Sequence, residues 1–145
     1  MPVLTLEQIT TTPTATTKDE AIQEAADMLV AAGAVTADYA DAMRERESSV
    51  STYMGNLLAI PHGTNESKES ILDSGLSVAR YDTPIDWDGN PVSVAVGIAA
   101  KGNGHIALLS QLATVLMDPE KAEALRNVTT VDEVYALLES EDEDD

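Results

Sequence analysis

"VSVAVGIAA", residues 92–100, decides the fold. Val92, Val94, Val96 and Ile98 fall on one face of an extended chain, and small residues fall on the other. That makes it the best candidate for a central strand. Upstream, "GLSVARY" (75–81) alternates in the same way, and "TPIDWDGNP" supplies a turn through Asp88-Gly89-Asn90-Pro91. Leu57–Ile60 form a short strand. Val3, Leu4, Leu6 and Ile9 make either a short edge strand or an N-terminal arm, and the turn-rich "TTTPTATT" follows.

Helical patterns surround these strands. Thr17 and Glu20 form a capping box, with Ala21, Ile22, Ala25, Ala26, Leu29 and Val30 at helical spacing, so a helix is expected over 18–32. Thr36 starts a second, running to about residue 47, whose inner stripe reads Tyr39, Ala42, Met43 and then Arg46. "NESKESILDS" carries a helical turn. A helix over about 104–117 begins with His105. Asp118 caps another with Pro119 at its first position, and Thr130 with Glu133 opens a last one through Leu138. Interleaved helices and strands predict one layered α/β domain, a small sheet with helices on both faces. The patterns leave open whether the sheet is parallel or mixed. No repeat or linker divides the chain.

Composition narrows the chemistry. At 145 residues the chain suits a single domain with a real core, built without Phe around Trp87 as the only tryptophan. The absence of cysteine excludes disulfides, thiolate metal sites and thiol catalysis. Acids outnumber bases 26 to 8, for a net charge of −18, which argues against nucleic-acid binding. The tail "ESEDEDD" (139–145) holds six of those acids and is expected to be solvated and disordered, leaving 1–138 as the folded domain. The body is strongly acidic too, which reads as adaptation to a salt-loaded cytoplasm. No apolar run approaches the roughly 20 residues of a membrane span, and no signal peptide is visible, so a cytoplasmic protein is expected.

Chemistry gathers at "NLLAIPHGT", residues 56–64. Pro61 stiffens the approach to His62, Gly63 clears space and exposes a backbone N–H, and Thr64 adds a hydroxyl. A nucleophilic imidazole among small donors suits an oxyanion. His105 follows the Gly-rich "KGNG" at a helix N-terminus, which favours anions and a neutral imidazole. Either histidine also has a purely structural reading, at a turn or a helix cap. A Ser-His-Asp hydrolase finds no G-x-S-x-G elbow, and a two-histidine metal site finds no ligand spacing. Arg46 on an apolar stripe is either a snorkelling side chain near a helix end or one that reaches into the site.

"STYMGNLLAIPHGT" followed by "GHIALLSQLA" resembles the enzyme IIA domain of the mannitol/fructose class of the phosphoenolpyruvate-dependent sugar phosphotransferase system. The resemblance spans nearly the whole chain and implies a small mixed sheet sandwiched by helices. It further implies that His62 accepts a phosphoryl group from the histidine phosphocarrier protein and passes it to a cysteine of a IIB component. His105 would hydrogen-bond that group, Arg46 would support the site, and Asn56, Gly63 and Thr64 would shape or contact the phosphate pocket. Nε2 of His62 is the expected nucleophile by analogy. No metal or cofactor is implied. Fructose is the first sugar expected and mannitol the second. A regulatory phospho-switch that transports no sugar is the alternative. "KGNG" stands where the family usually carries acidic or charged residues before the second histidine, which bears on partner choice. Leu57, Leu58 and Leu108 are candidates for an apolar partner patch, or for the core.

Overall fold

The computed structural model describes residues 8–11, 13–49, 51–55, 57–63, 69–73, 75–99, 118–127 and 130–136. Five strands form one mixed sheet: β1 (Ile9–Thr10), β2 (Tyr53–Gly55), β3 (Leu58–Ala59), β4 (Gly75–Trp87) and β5 (Asn90–Ala99), in the spatial order β1-β4-β5-β3-β2. The pairs β1/β4 and β3/β5 run parallel, while β4/β5 and β2/β3 run antiparallel. The stretch that opened the sequence reading is therefore the central strand. Of the two alternatives for the N-terminal stretch, Ile9 and Thr10 form an edge strand; residues 1–7 lie outside the described residues.

The β4–β5 hairpin closes on two residues, because Trp87 pairs with Asn90 and only Asp88 and Gly89 lie between. Both have positive φ, 55° and 94°. That is the type I′ arrangement, whose twist matches the strands and for which Asp-Gly is favoured. The turn is thus tighter than the four residues expected. Strand β4 also runs six residues beyond the predicted Tyr81, to Trp87. Its ladder to β5 is irregular between Arg80 and Ile85, and Pro84 sits in that gap, where its missing N–H costs no sheet bond.

Two helices cover one face. α1 (Lys18–Ala31) is capped by Thr17, whose hydroxyl accepts from Glu20 N–H at 3.2 Å. The Glu20 carboxylate reaches back chiefly to the Thr16 N–H and hydroxyl, both at 2.9 Å, and these bonds hold it below the usual carboxylate range. α2 (Tyr39–Ser49) starts three residues later than expected, after Thr36 O accepts from Tyr39 N–H. The other face carries α3 (Pro119–Asn127), capped by Asp118 Oδ1 on Glu120 N–H at 3.0 Å, and a helical stretch at 131–136 opened by the Thr130–Glu133 box. The expected helix over 104–117 and the acidic tail 139–145 lie outside the described residues.

The alternation in β5 sorts the two cores. Val94, Val96 and Ile98 join Leu58, Val78 and Leu125 under α3, while Ala95 and Ala99 join Ala25, Leu29 and Met43 under α1 and α2. Val92 departs from the simple pattern and packs with Ile85 and Trp87 in the second group, beside the irregular stretch of β4. The small face brings α1 close to the sheet. A Cβ at Gly97 would lie 2.4 Å from Ser77 Oγ and 3.0 Å from Ala25 Cβ, while Ser77 Oγ donates to Ala25 O at 3.1 Å. Gly97→Ala should therefore lower stability by roughly 1–3 kcal/mol, as overpacking does. The loss should shrink when Ser77→Ala removes the clashing oxygen, a coupling that a double-mutant cycle by chemical denaturation would read.

Candidate active site

The parallel register of β3 on β5 builds the site. Leu58 pairs with Val94, Ala59 with Ala95, and the same offset continues past β3 to a bridge between His62 and Ile98. Ile98 N–H donates to Pro61 O at 3.0 Å, so the proline that ends the ladder on one side still accepts on the other. His62 consequently lies beyond the carboxyl end of β3, alongside the end of the central strand, where α/β folds present ligand-binding groups. Leu57, expected as the first strand residue, instead lies in the turn with φ 66°, and its carbonyl accepts from Ser93 and Val94 N–H at 2.7 and 3.2 Å.

Two local bonds then fix the histidine and its neighbour. His62 Nδ1 lies 2.8 Å from Ile60 O. A carbonyl can only accept, so Nδ1 carries the proton and Nε2 is the basic nitrogen of the neutral ring. Gly63 N–H donates to the Tyr39 hydroxyl at 2.9 Å, and that hydroxyl donates to Ile98 O at 2.8 Å. The expectation that Gly63 N–H is presented to an anion is therefore corrected: α2 holds it through a phenol that is 2% exposed. Burial raises the Tyr39 pKa, so the hydroxyl stays protonated and serves as donor and acceptor at once.

Arg46 is on α2, half-buried, seven residues beyond Tyr39 and so on nearly the same face two turns along. The inner stripe differs by one position from the sequence reading. Tyr39, Ala40, Met43 and Glu47 are the buried residues, and Ala42 and Arg46 flank them. Glu47, which the sequence reading missed, is 5% exposed. One oxygen accepts from Thr52 N–H at 2.8 Å and Trp87 Nε1 at 2.9 Å, and the other from Thr52 Oγ1 at 2.5 Å. The available signal was its spacing, four residues after Met43 and eight after Tyr39. Leu58 is fully buried and is core, whereas Leu57 is half-buried. Asn56, Thr64, His105 and Leu108 lie outside the described residues.

A small mixed α/β domain with a backbone-oriented histidine at the end of its central strands is the class these features define. Residues 2–141 match the family described as "Phosphoenolpyruvate-dependent sugar phosphotransferase system, EIIA 2", and the chain belongs to that family. It is thus a phosphotransferase component of sugar uptake that works through a phosphohistidine. A mannitol-specific enzyme IIA component from Halalkalibacterium halodurans is 46% identical over 136 residues, covering 94% of each chain. One from Staphylococcus aureus is 42% identical, covering 86% of this chain and 87% of its own. Among solved structures, the Escherichia coli mannitol IIA in complex with phosphorylated mannitol IIB matches with a TM-score of 0.87 and 36% identity, covering 94% of this chain and 97% of that one. The nitrogen regulatory protein IIA-Ntr of Neisseria meningitidis matches with 0.82 and 27%, covering 94% and 96%. Among the described residues no helix is long and apolar enough to cross a membrane.

The phenols give a pH prediction. Burial also pushes up Tyr81, helped by its hydrogen bond to Glu24 and that carboxylate's charge. A phenol with a raised pKa binds its proton more tightly folded than unfolded. Its contribution is therefore complete below about 10 and declines as pH rises past the unfolded value. Denaturation midpoints should fall above about pH 10, and fall less steeply in Tyr39→Phe and Tyr81→Phe than in the parent chain.

Proposed function

We propose that His62 takes and releases the phosphoryl group through Nε2, and that the sugar served is mannitol. The bond from Nδ1 to the Ile60 carbonyl carries the assignment of the nitrogen. A histidine attacks phosphorus only through an unprotonated ring nitrogen, and parking the proton on Nδ1 leaves the Nε2 lone pair for the attack. The new N–P bond forms as the bond from phosphorus to the donor's histidine breaks, and the donor nitrogen keeps that electron pair. In the onward step a cysteine thiolate of IIB attacks the same phosphorus and Nε2 leaves with its pair. Such transfers depend on in-line placement and on stabilising the equatorial oxygens more than on covalent help.

The chain has only two histidines, and the resemblance gives the second, His105, the role of hydrogen-bonding the phosphoryl group. Since Gly63 N–H is held by Tyr39, the remaining donors of the proposed pocket are His105, Thr64 and the Arg46 guanidinium, with Asn56 shaping it. Partners follow from the family and from the Escherichia coli relative seen with phosphorylated IIB: the histidine phosphocarrier protein before this step and a IIB component after it. Mannitol replaces fructose, the first sugar expected, because the relatives at 46% and 42% identity are both named mannitol-specific. The regulatory alternative is less favoured, as the regulatory relative is 27% identical. A high-salt habitat finds no support among the relatives and rests on the charge alone.

Incubation with phosphoenolpyruvate, enzyme I and the phosphocarrier should place an acid-labile, alkali-stable phosphate on the parent chain and none on His62→Ala. His105→Ala should label and then pass its phosphate on poorly. Completed with mannitol IIB and membrane components, the labelled chain should support phosphorylation of mannitol and not of fructose. Equal labelling of His62→Ala would overturn the assignment.

A further inference from the structure

We infer that Glu47 is a positioning residue for His62, acting through Thr52 and the backbone of Ile60. The inference rests on His62 being the phosphorylated residue. The path is continuous in hydrogen bonds: the Glu47 carboxylate accepts from the N–H and the hydroxyl of Thr52, Thr52 O accepts from Ile60 N–H at 3.1 Å, and Ile60 O accepts from His62 Nδ1. Thr52, like Glu47, is buried. Each residue on the path is thus gripped on one side and grips the next on the other. The carbonyl that sets the imidazole's tautomer belongs to Ile60, so its direction depends on how firmly Ile60 is held.

A charged acceptor explains why this segment needs such a partner. Between α2 and β2 the Thr52 N–H lies outside both helix and strand, and a side chain satisfies it. One carboxylate meets both Thr52 donors and, through Trp87 Nε1, ties the segment to the end of the β4–β5 hairpin. Bonds to an ionised acceptor are the stronger kind and hold their direction better than bonds to a neutral one. The two arms have different consequences. The Trp87 arm anchors the carboxylate to the core, whereas only the Thr52 arm leads to His62.

That difference supplies the test. Thr52→Val removes the hydroxyl arm and keeps the fold's shape; Trp87→Phe cuts the other arm and removes a core hydrogen bond. Glu47→Gln retains the geometry, since its carbonyl oxygen can accept both N–H groups while its amide donates to a Thr52 hydroxyl turned round to accept. The first readout is the 15N spectrum of the unphosphorylated His62 ring, which reports where the ring proton sits and needs no transfer. The second is phosphoryl transfer from the phosphocarrier, separated into KM and kcat. Thr52→Val should move the His62 ring resonances toward a mixed tautomer and slow kcat by roughly tenfold with KM little changed, as a misplaced reacting group does. Trp87→Phe should lower the melting temperature with the ring resonances unmoved, and Glu47→Gln, which keeps the bonds and loses the charge, should fall between the parent and Thr52→Val in kcat.

Equal slowing in Thr52→Val and Trp87→Phe, in step with lost stability, would reduce Glu47 to a structural group. So would unchanged ring resonances in a folded Thr52→Val. Were the phosphate to sit elsewhere than His62, labelling of His62→Ala would reveal it, while the ring spectra would still decide whether Glu47 positions the imidazole.

Discussion

The parallel register between β3 and β5 is the constraint on which everything near His62 depends. β3 has two residues of its own, too short to be stable alone, and it is held on both sides, by β2 and by β5. Because the offset to β5 persists through Pro61, the central strand templates the turn as well as the strand. Pro61 O is held by Ile98 N–H, and Ile98 O in turn receives the Tyr39 hydroxyl that holds Gly63 N–H. A single residue of β5 thereby secures the peptides on either side of His62. A one-residue slip of β3 would exchange Leu58 and Ala59 between the two cores and unmake the bonds of Pro61 O and Gly63 N–H together, so the burial of those side chains protects the geometry of the turn.

The same strand sets how close the helices come. Its small face admits α1 at a distance where Gly97 has no room for a methyl group, and α2 packs beside α1 across that layer. α2 then carries Tyr39 near its start and Glu47 near its end, one bonded to the peptide after His62 and the other to the segment before β3. The rigidity of the turn is therefore borrowed from the packing of a helix pair, the same pair whose second helix carries Arg46.

Much of this was legible in the sequence, and the failures have physical causes. The central strand, α1 with its Thr17 cap and the Asp118-Pro119 helix start are local signals, and local signals survived folding. The extension of β4 to Trp87 was hidden because Thr83 and Pro84 read as turn chemistry. Their stretch of strand escapes the usual penalty only because the ladder is irregular there. The α2 stripe was read one position off, toward Arg46, since a charge at the end of a helix is ordinarily placed outside and Glu47 was never considered for the core. Spacing puts Glu47 on the buried stripe, but its burial requires Trp87, distant in sequence, to supply a donor. Likewise Gly63 looked like an exposed donor because its acceptor, Tyr39, lies on another element altogether. What the motif could convey was which residue to propose as the reacting one, and what it could not was which groups hold that residue still.

Holding the histidine through a backbone carbonyl suits a group that, on the proposed assignment, must change charge twice per cycle. On the proposed assignment, a phosphoryl group arriving on Nε2 brings negative charge to a body already at −18. A side-chain acid facing Nδ1 would answer that change by shifting its own protonation or by trading partners. A carbonyl in the Ile60 position has no proton to exchange, so transfer at Nε2 requires no change of partner at Nδ1–H. The nearest ionised group on that path, Glu47, is kept two hydrogen-bonded residues away and has its own donors. Distance and satisfaction together let it stiffen the frame without stabilising the phosphohistidine, which has to remain reactive enough to leave. A carrier needs a firm grip on its nucleophile and a weak one on its cargo, and here the two are assigned to different parts of the fold.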